Sequence, residues 1–256
     1  MKRFLLLVLI LALVFTSILL LSCKSSGSGS GGISGPPVGT NVWWMFSLAS
    51  GGYRDGYASI SYLSDHPINN LQVSMNSYTC TASHYPESSY WDINTSAIDY
   101  ESGDAVDIDL VINETENRSV FLTIPSVPEF TSDPNWDGTT DHSLTWTSDA
   151  DPTSQYLSLW GPYDDDNPPS SCSPVYLNPA DRSYALPAGA HGYTGVNGYL
   201  SAYLNCSNWL FESNTLFEAY EYASHYYNSP GSRSQPDHKD IHRKITQQII
   251  NEINSK

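Results

Sequence analysis

Strict alternation of apolar and polar residues dominates the chain between residues 40 and 228. In the first half it is clearest in the segments 71–75, 106–112 and 120–124, where Leu, Val, Ile or Met fills every second position. Because successive side chains of a strand point to opposite faces, this period of two predicts half-buried β-strands. Turn-forming clusters such as Glu101-Ser102-Gly103-Asp104 separate them. The pattern therefore predicts an all-β fold of the sandwich or barrel type.

A second set of candidate strands follows the proline-bearing stretch 125–134. Its clearest member is Ser143-Leu144-Thr145-Trp146-Thr147, and the others are 155–160, 183–187, 198–205 and one within 216–222. A folded region of about 200 residues is large enough for two small β domains. We predict two sandwich modules, 40–125 and 126–228, with a single larger jelly-roll-like domain as the alternative.

Several short patterns in the two modules can be compared with known β domains. The second module contains Leu-Thr-Trp-Thr at 144–147, Tyr-Leu-Ser-Leu at 156–159, Tyr-Ala-Leu-Pro-Ala-Gly at 184–189 and Gly-Tyr-Leu-Ser-Ala-Tyr at 198–203. Together these resemble a fibronectin type III domain, although the polar excursion 161–179 is longer than that family's connections. The resemblance implies that Trp146 is a core tryptophan and that 199–203 lies near the sheet centre. The first module, with Pro-Ile-Asn-Asn-Leu-Gln-Val at 67–73, is similar to bacterial Ig-like domains, a fold that implies no activity.

The chain begins with a positively charged and then apolar segment. Lys2 and Arg3 precede the apolar run 4–21, and the small residue Ser22 stands before Cys23. These are the parts of a secretory signal. The ending Leu-Leu-Ser-Cys at 20–23 resembles the lipobox of bacterial lipoproteins, which implies a signal peptide over 1–22 and lipidation of Cys23. An uncleaved membrane span, for which about 20 apolar residues suffice, and ordinary secretion are the alternatives.

Residues 23–39 consist mainly of Gly and Ser after the cysteine. Such a segment cannot build a core and behaves as a flexible tether with a mean reach of about 20 Å. The lipoprotein resemblance implies that acyl chains bind the protein to a membrane of the bacterial cell envelope. Lys24 follows Cys23, where an Asp would resemble a retention signal for the inner membrane, so we expect the outer membrane or cell surface.

The charge of the chain is strongly negative. The formal net charge is −16 at pH 7, and the basic residues between 40 and 232 are only Arg54, Arg118 and Arg182. Such a surface repels phosphate backbones and anionic headgroups, which excludes nucleic acid as a partner. The charge serves solubility in the simplest interpretation; a bound cation or a basic partner is the alternative.

Three further cysteines follow Cys23 in the sequence, namely Cys80, Cys172 and Cys206. An oxidising compartment favours disulfide pairing. Cys172 and Cys206 fall within the same predicted module, so we predict a Cys172–Cys206 disulfide and leave Cys80 as a buried thiol. The cysteine spacing supports neither a zinc site nor a redox site.

The most specific polar motif is Asp-Pro-Asn-Trp-Asp-Gly at 133–138, which Asp141 follows. It matches the opening of EF-hand-type calcium loops, in which oxygen atoms at alternate positions converge on one cation. Asp133, Asn135, Asp137 and Asp141 are therefore candidate ligands of a structural Ca2+, although Leu144 stands where a bidentate acidic residue belongs. An ordinary turn between strands is the alternative, and we expect no other cofactor.

The tail 229–256 differs from the rest of the chain. Ile241, Ile245, Ile249 and Ile253 lie four residues apart, with Ile250 alongside, which predicts a short amphipathic helix. The tail is also the basic part of the folded region. We expect the helix to pack on the acidic β region; pairing with another protein or lying on a membrane surface are the alternatives.

Motifs of catalytic sites are missing from the sequence, including G-x-S-x-G, H-E-x-x-H and the phosphate loop. Aromatic residues are plentiful, with 18 Tyr and 7 Trp. Exposed rings stack on sugars and anchor protein interfaces, although β cores also use them. We therefore expect a non-enzymatic, membrane-anchored protein whose modules bind a protein or glycan. A surface polysaccharide hydrolase and an envelope assembly component that docks through its C-terminal helix are the alternatives.

Overall fold

The computed structural model describes residues 41–50, 56–163, 175–195 and 199–227, together with the helical residues 246, 249–251 and 253–254. Strands make up most of the regular secondary structure of these residues, and a short helix lies near the C-terminus, so the predicted all-β fold class is confirmed. The strands are β1 (Trp44–Ala49), β2 (Tyr57–Tyr62), β3 (Leu71–Met75), β4 (Tyr78–Tyr85), β5 (Tyr90–Asn94), β6 (Ala105–Ile112), β7 (Glu116–Thr123), β8 (Glu129–Phe130), β9 (His142–Thr147), β10 (Ser154–Tyr163), β11 (Val175–Leu177), β12 (Ser183–Leu186), β13 (Tyr199–Glu212) and β14 (Thr215–Tyr227). Short 3-10 helices occupy Pro86–Ser88 and Ala190–Gly192.

Two sheets are formed by these strands. A long sheet of 11 strands has the order β11-β10-β13-β14-β1-β2-β5-β4-β3-β6-β7, and a small sheet has the order β12-β9-β8. β1 and β14 run parallel to each other, whereas the other neighbours in both sheets are antiparallel. The first and last strands of the long polypeptide segment 44–227 therefore lie side by side.

The first sandwich arises because one end of the long sheet curls over. Phe46 on β1, Ile60 on β2 and Ile108 on β6 are fully buried members of the same hydrophobic core, although several strands separate them in the sheet order. β3, β6 and β7 must therefore face β1 and β2. A hydrogen bond from Asn208 Nδ2 on β13 to the carbonyl oxygen of Thr123 (2.8 Å) connects the far edge of the curl to the other half of the sheet.

The second sandwich is formed where the small sheet covers the other end of the long sheet. Its core contains Trp146 on β9, Leu157 on β10, Leu204 on β13 and Tyr227 on β14. Trp146 is 2% exposed, so it lies in a core as the fibronectin type III resemblance implies. Membership of the fibronectin type III family for the second module, and of the Ig-like family for the first, remains a prediction.

The face of the long sheet that is turned away from both cores, here called the outer face, is partly covered by the C-terminal helix. Ile249 and Ile250 are fully buried and share a hydrophobic cluster with Met45, Tyr156 and Tyr203. The helix thus packs on the β region, as its apolar spacing led us to expect. Among the described residues, no helix combines the length and apolar composition that crossing a membrane would require.

The start of the folded region is bound to this helix. Val42 is fully buried, its N–H donates to Asn254 Oδ1 (2.9 Å), and its carbonyl oxygen accepts from Asn254 Nδ2 (2.8 Å). A single amide side chain thereby satisfies both polar backbone groups of Val42. We call this pair of bonds the Val42–Asn254 clamp.

Strands of both predicted modules join in the long sheet through the β1–β14 pair. Phe217 and Ala219 near the start of β14 lie in the first core, and Tyr227 at its end lies in the second. The two sandwiches therefore share a strand, an arrangement that alternation does not reveal. The boundary between 40–125 and 126–228 stays a prediction.

Candidate functional site

The predicted calcium loop is built from local carboxylate hydrogen bonds. Asp133 Oδ1 accepts from the backbone N–H of Asn135 (2.9 Å) and from its Nδ2 (2.8 Å). Asp137 Oδ1 accepts from the N–H of Thr139 (2.9 Å) and from its hydroxyl (2.7 Å). These bonds lower the pKa of both carboxyl groups, because they favour the charged form. Two successive Asx turns shape the loop.

The same loop is fixed against the segment that follows β12. Asp141 Oδ1 accepts from the N–H of Ala188 (2.9 Å). Gly138 has a positive φ of 74°, and a Cβ atom there would lie 2.5 Å from the carbonyl oxygen of Tyr193. Gly138 is therefore required both by its backbone conformation and by the close approach of its neighbour.

Each of the candidate ligands Asp133, Asn135, Asp137 and Asp141 thus makes a hydrogen bond that shapes the loop or holds it in position. Within the described ranges, no group of three or more His, Cys, Asp or Glu side chains is arranged to hold a metal ion. Calcium binding by this loop stays a prediction.

The cysteines of the described residues are thiols in apolar surroundings. Cys206 is fully buried in the second core, its Sγ lies 3.9 Å from Gln155 Oε1, and burial raises its pKa to about 12. Cys80 is half-buried, and burial raises its pKa as well. Cys172 and Cys23 lie outside the described residues, so the Cys172–Cys206 disulfide and the lipidation of Cys23 stay predictions.

A cluster of histidine and aromatic rings closes one end of the second sandwich. His142 stacks on Trp136, with ring centroids 5.3 Å apart and planes at 16°. His142 and His225 both contact Tyr227 edge-on, at 5.5 and 4.7 Å. Burial lowers the pKa of both imidazoles, because it disfavours the charged form. The cluster packs two histidines whose pKa values lie below the ordinary value of an imidazole.

Two buried carboxyl groups lie on β14. Glu218 is fully buried on the outer face and accepts hydrogen bonds from Ser207 Oγ (2.6 Å), Ser47 Oγ (3.2 Å) and Trp209 Nε1 (3.3 Å). Glu221 lies on the opposite face, because it is three residues further along the strand. Burial raises the pKa of Glu221, which accepts from the N–H of Ser50 (3.2 Å). The two groups therefore cannot face one substrate together, as the paired carboxylates of a glycosidase must.

An exposed strip of aromatic and polar side chains lies on the outer face where β4 pairs with β5. Its cross-strand pairs are Tyr85 with Tyr90, Ser83 with Asp92, and Thr81 with Asn94. The rings of Tyr85 and Tyr90 are stacked, with centroids 4.8 Å apart and planes at 4°. Tyr85 is 45% exposed, and Ser83, Thr81 and Asn94 are exposed as well. This outer strip offers an aromatic surface beside hydrogen-bonding groups, which suits binding rather than bond-breaking chemistry.

Other aromatic residues cluster near the two ends of the β region. Trp44, Tyr57, Tyr220 and Tyr227 are buried there, whereas Trp43, Tyr222 and Tyr226 are partly buried. The outer strip could have been found from the two tyrosines that flank the turn-forming Pro-Glu-Ser-Ser at 86–89, because residues at the ends of a hairpin face each other.

Comparisons with protein-family models and with curated proteins found no match to this sequence.

Proposed function

We propose that the protein is a lipid-anchored component of the bacterial cell envelope that presents its two sandwiches for binding a protein or a glycan. The observation that carries the proposal is the sequence Leu-Leu-Ser-Cys at 20–23, at the end of a basic and then apolar leader. Acyl chains on Cys23 would supply the membrane affinity, at about 0.8 kcal/mol for each buried methylene group. In this proposal the protein binds its partner without converting it.

The position at which the fold begins supports a tethered arrangement. The Gly/Ser segment ends near residue 39, and Val42 is already fully buried and bound by Asn254. A flexible tether that meets a fixed entry point leaves the sandwiches free to reorient above a membrane while their own geometry stays unchanged. Such freedom is useful to a module that must find a partner.

The surface charge narrows the class of partner. With a net charge of −16, the protein repels anionic polymers, and the repulsion is strongest at low ionic strength. Neutral or basic partners suit this surface. The outer strip, in which the exposed Tyr85 is stacked on the buried Tyr90 beside polar side chains, provides a place for them.

Lipidation is tested by growing a bacterial host that expresses the full chain with an alkyne-bearing fatty acid. The wild-type protein should be labelled and should fractionate with membranes. Cys23→Ser should lose the label, whereas the matched variant Cys80→Ser should keep it. Mass spectrometry that finds an unmodified Cys23 thiol behind an intact leader would reject the proposal.

The absence of turnover is tested by incubating the purified protein with a panel of polysaccharides and measuring the release of reducing ends. We expect none above the background. Release that disappears when one carboxylate is replaced by its amide would establish a hydrolase instead.

A further inference from the structure

We propose that the outer strip on β4 and β5 binds a neutral polysaccharide, with one sugar ring stacked on Tyr85. This inference rests on the proposed binding function and names its ligand class and its site. The strip consists of the cross-strand pairs Tyr85–Tyr90, Ser83–Asp92 and Thr81–Asn94.

Tyr85 is held as a rigid platform. One face of its ring is packed on the buried Tyr90, nearly parallel to it, so the 45% of Tyr85 that is exposed belongs to the other face and the edges. On the opposite side of the same two strands, His84 stacks on Trp91 with centroids 4.4 Å apart. Ring pairs on both sides of the strands fix the backbone beneath Tyr85, which lowers the ordering cost of binding.

The hairpin tip next to Tyr85 is also fixed. The N–H of Ser89 donates to the carbonyl oxygen of Pro86 (3.2 Å), and the N–H of Tyr62 on β2 donates to the carbonyl oxygen of Ser89 (3.0 Å). The platform therefore stands beside a bound turn and not beside a free loop.

Polar side chains continue from the platform along the strands. On the same face, Ser83 and Thr81 follow Tyr85 at every second residue of β4, and Asp92 and Asn94 follow Tyr90 on β5. Alternate residues of a strand lie about 6.6 Å apart, and neighbouring strands about 4.8 Å. The strip thus presents hydroxyl, carboxylate and amide groups in a row along the two strands, which suits an extended chain of hydroxyl-bearing rings.

The charge of the strip indicates a neutral glycan. Asp92 contributes a carboxylate, and the six residues include no Lys, Arg or His. A carboxylate accepts hydrogen bonds from sugar hydroxyls but repels uronate, sulfate or phosphate groups. An acidic polysaccharide would therefore meet the same repulsion here that the whole protein exerts.

Other exposed rings lack this arrangement and provide the matched control. Tyr78 is more exposed than Tyr85, at 58%, and lies on the same strand, but its odd spacing from Tyr85 places it on the other face of β4. No ring of the described residues stacks on Tyr78 or on Phe121 of β7, which is 71% exposed.

The inference is tested by isothermal titration calorimetry on the full-length, detergent-solubilised protein. The probes are cellohexaose, xylohexaose and chitohexaose as neutral oligosaccharides and hexagalacturonate as an anionic one. At least one neutral probe should bind with a dissociation constant of about 1 mM or tighter, and hexagalacturonate should bind more weakly. Tyr85→Ala should weaken neutral binding by about tenfold, the loss that corresponds to ~1.4 kcal/mol.

Three variants separate ring stacking from loss of folding. Tyr85→Phe keeps the ring and should bind as the wild type does within about threefold, whereas Tyr78→Ala should leave binding unchanged. Asp92→Asn should reduce the preference for neutral over anionic probes. Far-UV circular dichroism and the thermal unfolding midpoint should be the same for all variants.

The inference is overturned if no neutral probe binds, if Tyr85→Ala binds as tightly as Tyr78→Ala, or if hexagalacturonate binds best. None of these results affects lipidation of Cys23, which the labelling experiment measures separately. A labelled protein that fails the titration would retain the proposed anchored display and lose only this ligand and site.

Discussion

The two sandwiches differ in the layer that covers the shared sheet. In the first, the covering strands β3, β6 and β7 contribute only Leu, Val, Ile and Met, whereas the aromatic members of that core, Trp44, Phe46, Tyr62, Tyr100 and Phe217, come from other parts of the chain. The second core contains Trp136, Trp146, Tyr193 and Tyr227, and two histidines and a buried thiol lie within or beside it. Aliphatic side chains carry no group that titrates, whereas imidazoles do so near neutral pH. The difference teaches that the layer formed by β3, β6 and β7 should respond mainly to lost volume, whereas the residues that cover the second core should respond to acid and to the loss of single rings.

The largest effect that tests this contrast is expected from Trp146. Trp146→Ala should lower the free energy of unfolding by about 3–5 kcal/mol, because it removes a large buried ring and leaves a cavity. Ile108→Ala, the aliphatic counterpart in the first core, should cost about 2–5 kcal/mol. Urea unfolding followed by far-UV circular dichroism measures both.

The same urea unfolding curves show whether the two sandwiches unfold together. Because β14 contributes to both cores, we expect one cooperative transition in each variant. Two separate transitions, with only one shifted by Trp146→Ala, would instead make the sandwiches independent. A loss below about 1 kcal/mol for Trp146→Ala would contradict its place in the core.

A smaller effect is expected from acid. The pKa values of His142 and His225 are lowered in the folded protein, so below a pH of about 6.5 the unfolded chain takes up protons that the folded chain does not. Stability should therefore fall as the pH drops from about 6.5 towards the lower, folded-state pKa values. Glu221, whose pKa is raised, acts in the opposite sense, and its contribution to stability is lost as the pH rises.

This pH dependence is measured by thermal melts between pH 7 and pH 5. The double variant His142→Phe/His225→Phe keeps the ring packing and removes both imidazoles, so its melting temperature should vary less over that range. An equal slope in the double variant and the wild type would show that the histidines are not the cause.

The smallest effect is expected at the Val42–Asn254 clamp. Asn254→Ala should lower the free energy of unfolding by about 1 kcal/mol, because two hydrogen bonds to Val42 are lost at a partly buried place. Asn251→Ala is the matched control on the same helix, where the side chain is exposed, and it should have almost no effect. If urea unfolding gives the same free energy of unfolding for both variants, the Val42–Asn254 clamp does not stabilise the fold.

The sequence predicted best those strands that bury one face. β3, β6 and β7 alternate as their segments predicted, and β9 and β12 start and end within one or two residues of expectation. β1 was not predicted, because its residues are buried on both faces and show no period of two. β13 extends to Glu212, well beyond the predicted segment 198–205, because residues 208–211 are half-buried on both faces and show no period of two.

The sequence pattern did not predict which strands pair with each other. Alternation indicates which face of a strand is buried but not which strand lies beside it, so the parallel β1–β14 pair could not be foreseen. For the same reason, the stacking of Tyr85 on Tyr90 could be recognised only from the register of β4 and β5, which places the two residues opposite each other. The Asp-rich motif at 133–141 forms the turns that the sequence offered as the alternative to a calcium loop, because Asx turns depend on local spacing.

The pairing of Val42 with Asn254 has a practical consequence for labelling. It brings the residue that follows the predicted tether and a residue near the end of the chain to the same spot, although 212 positions separate them. Under the proposed lipidation of Cys23, a fluorophore attached at the exposed Asn251 of the same helix would lie near the point where the predicted tether meets the fold. Distance measurements from such a probe to a membrane dye would therefore report the height of the tether's upper end, and a probe intended to stay clear of the bilayer belongs elsewhere.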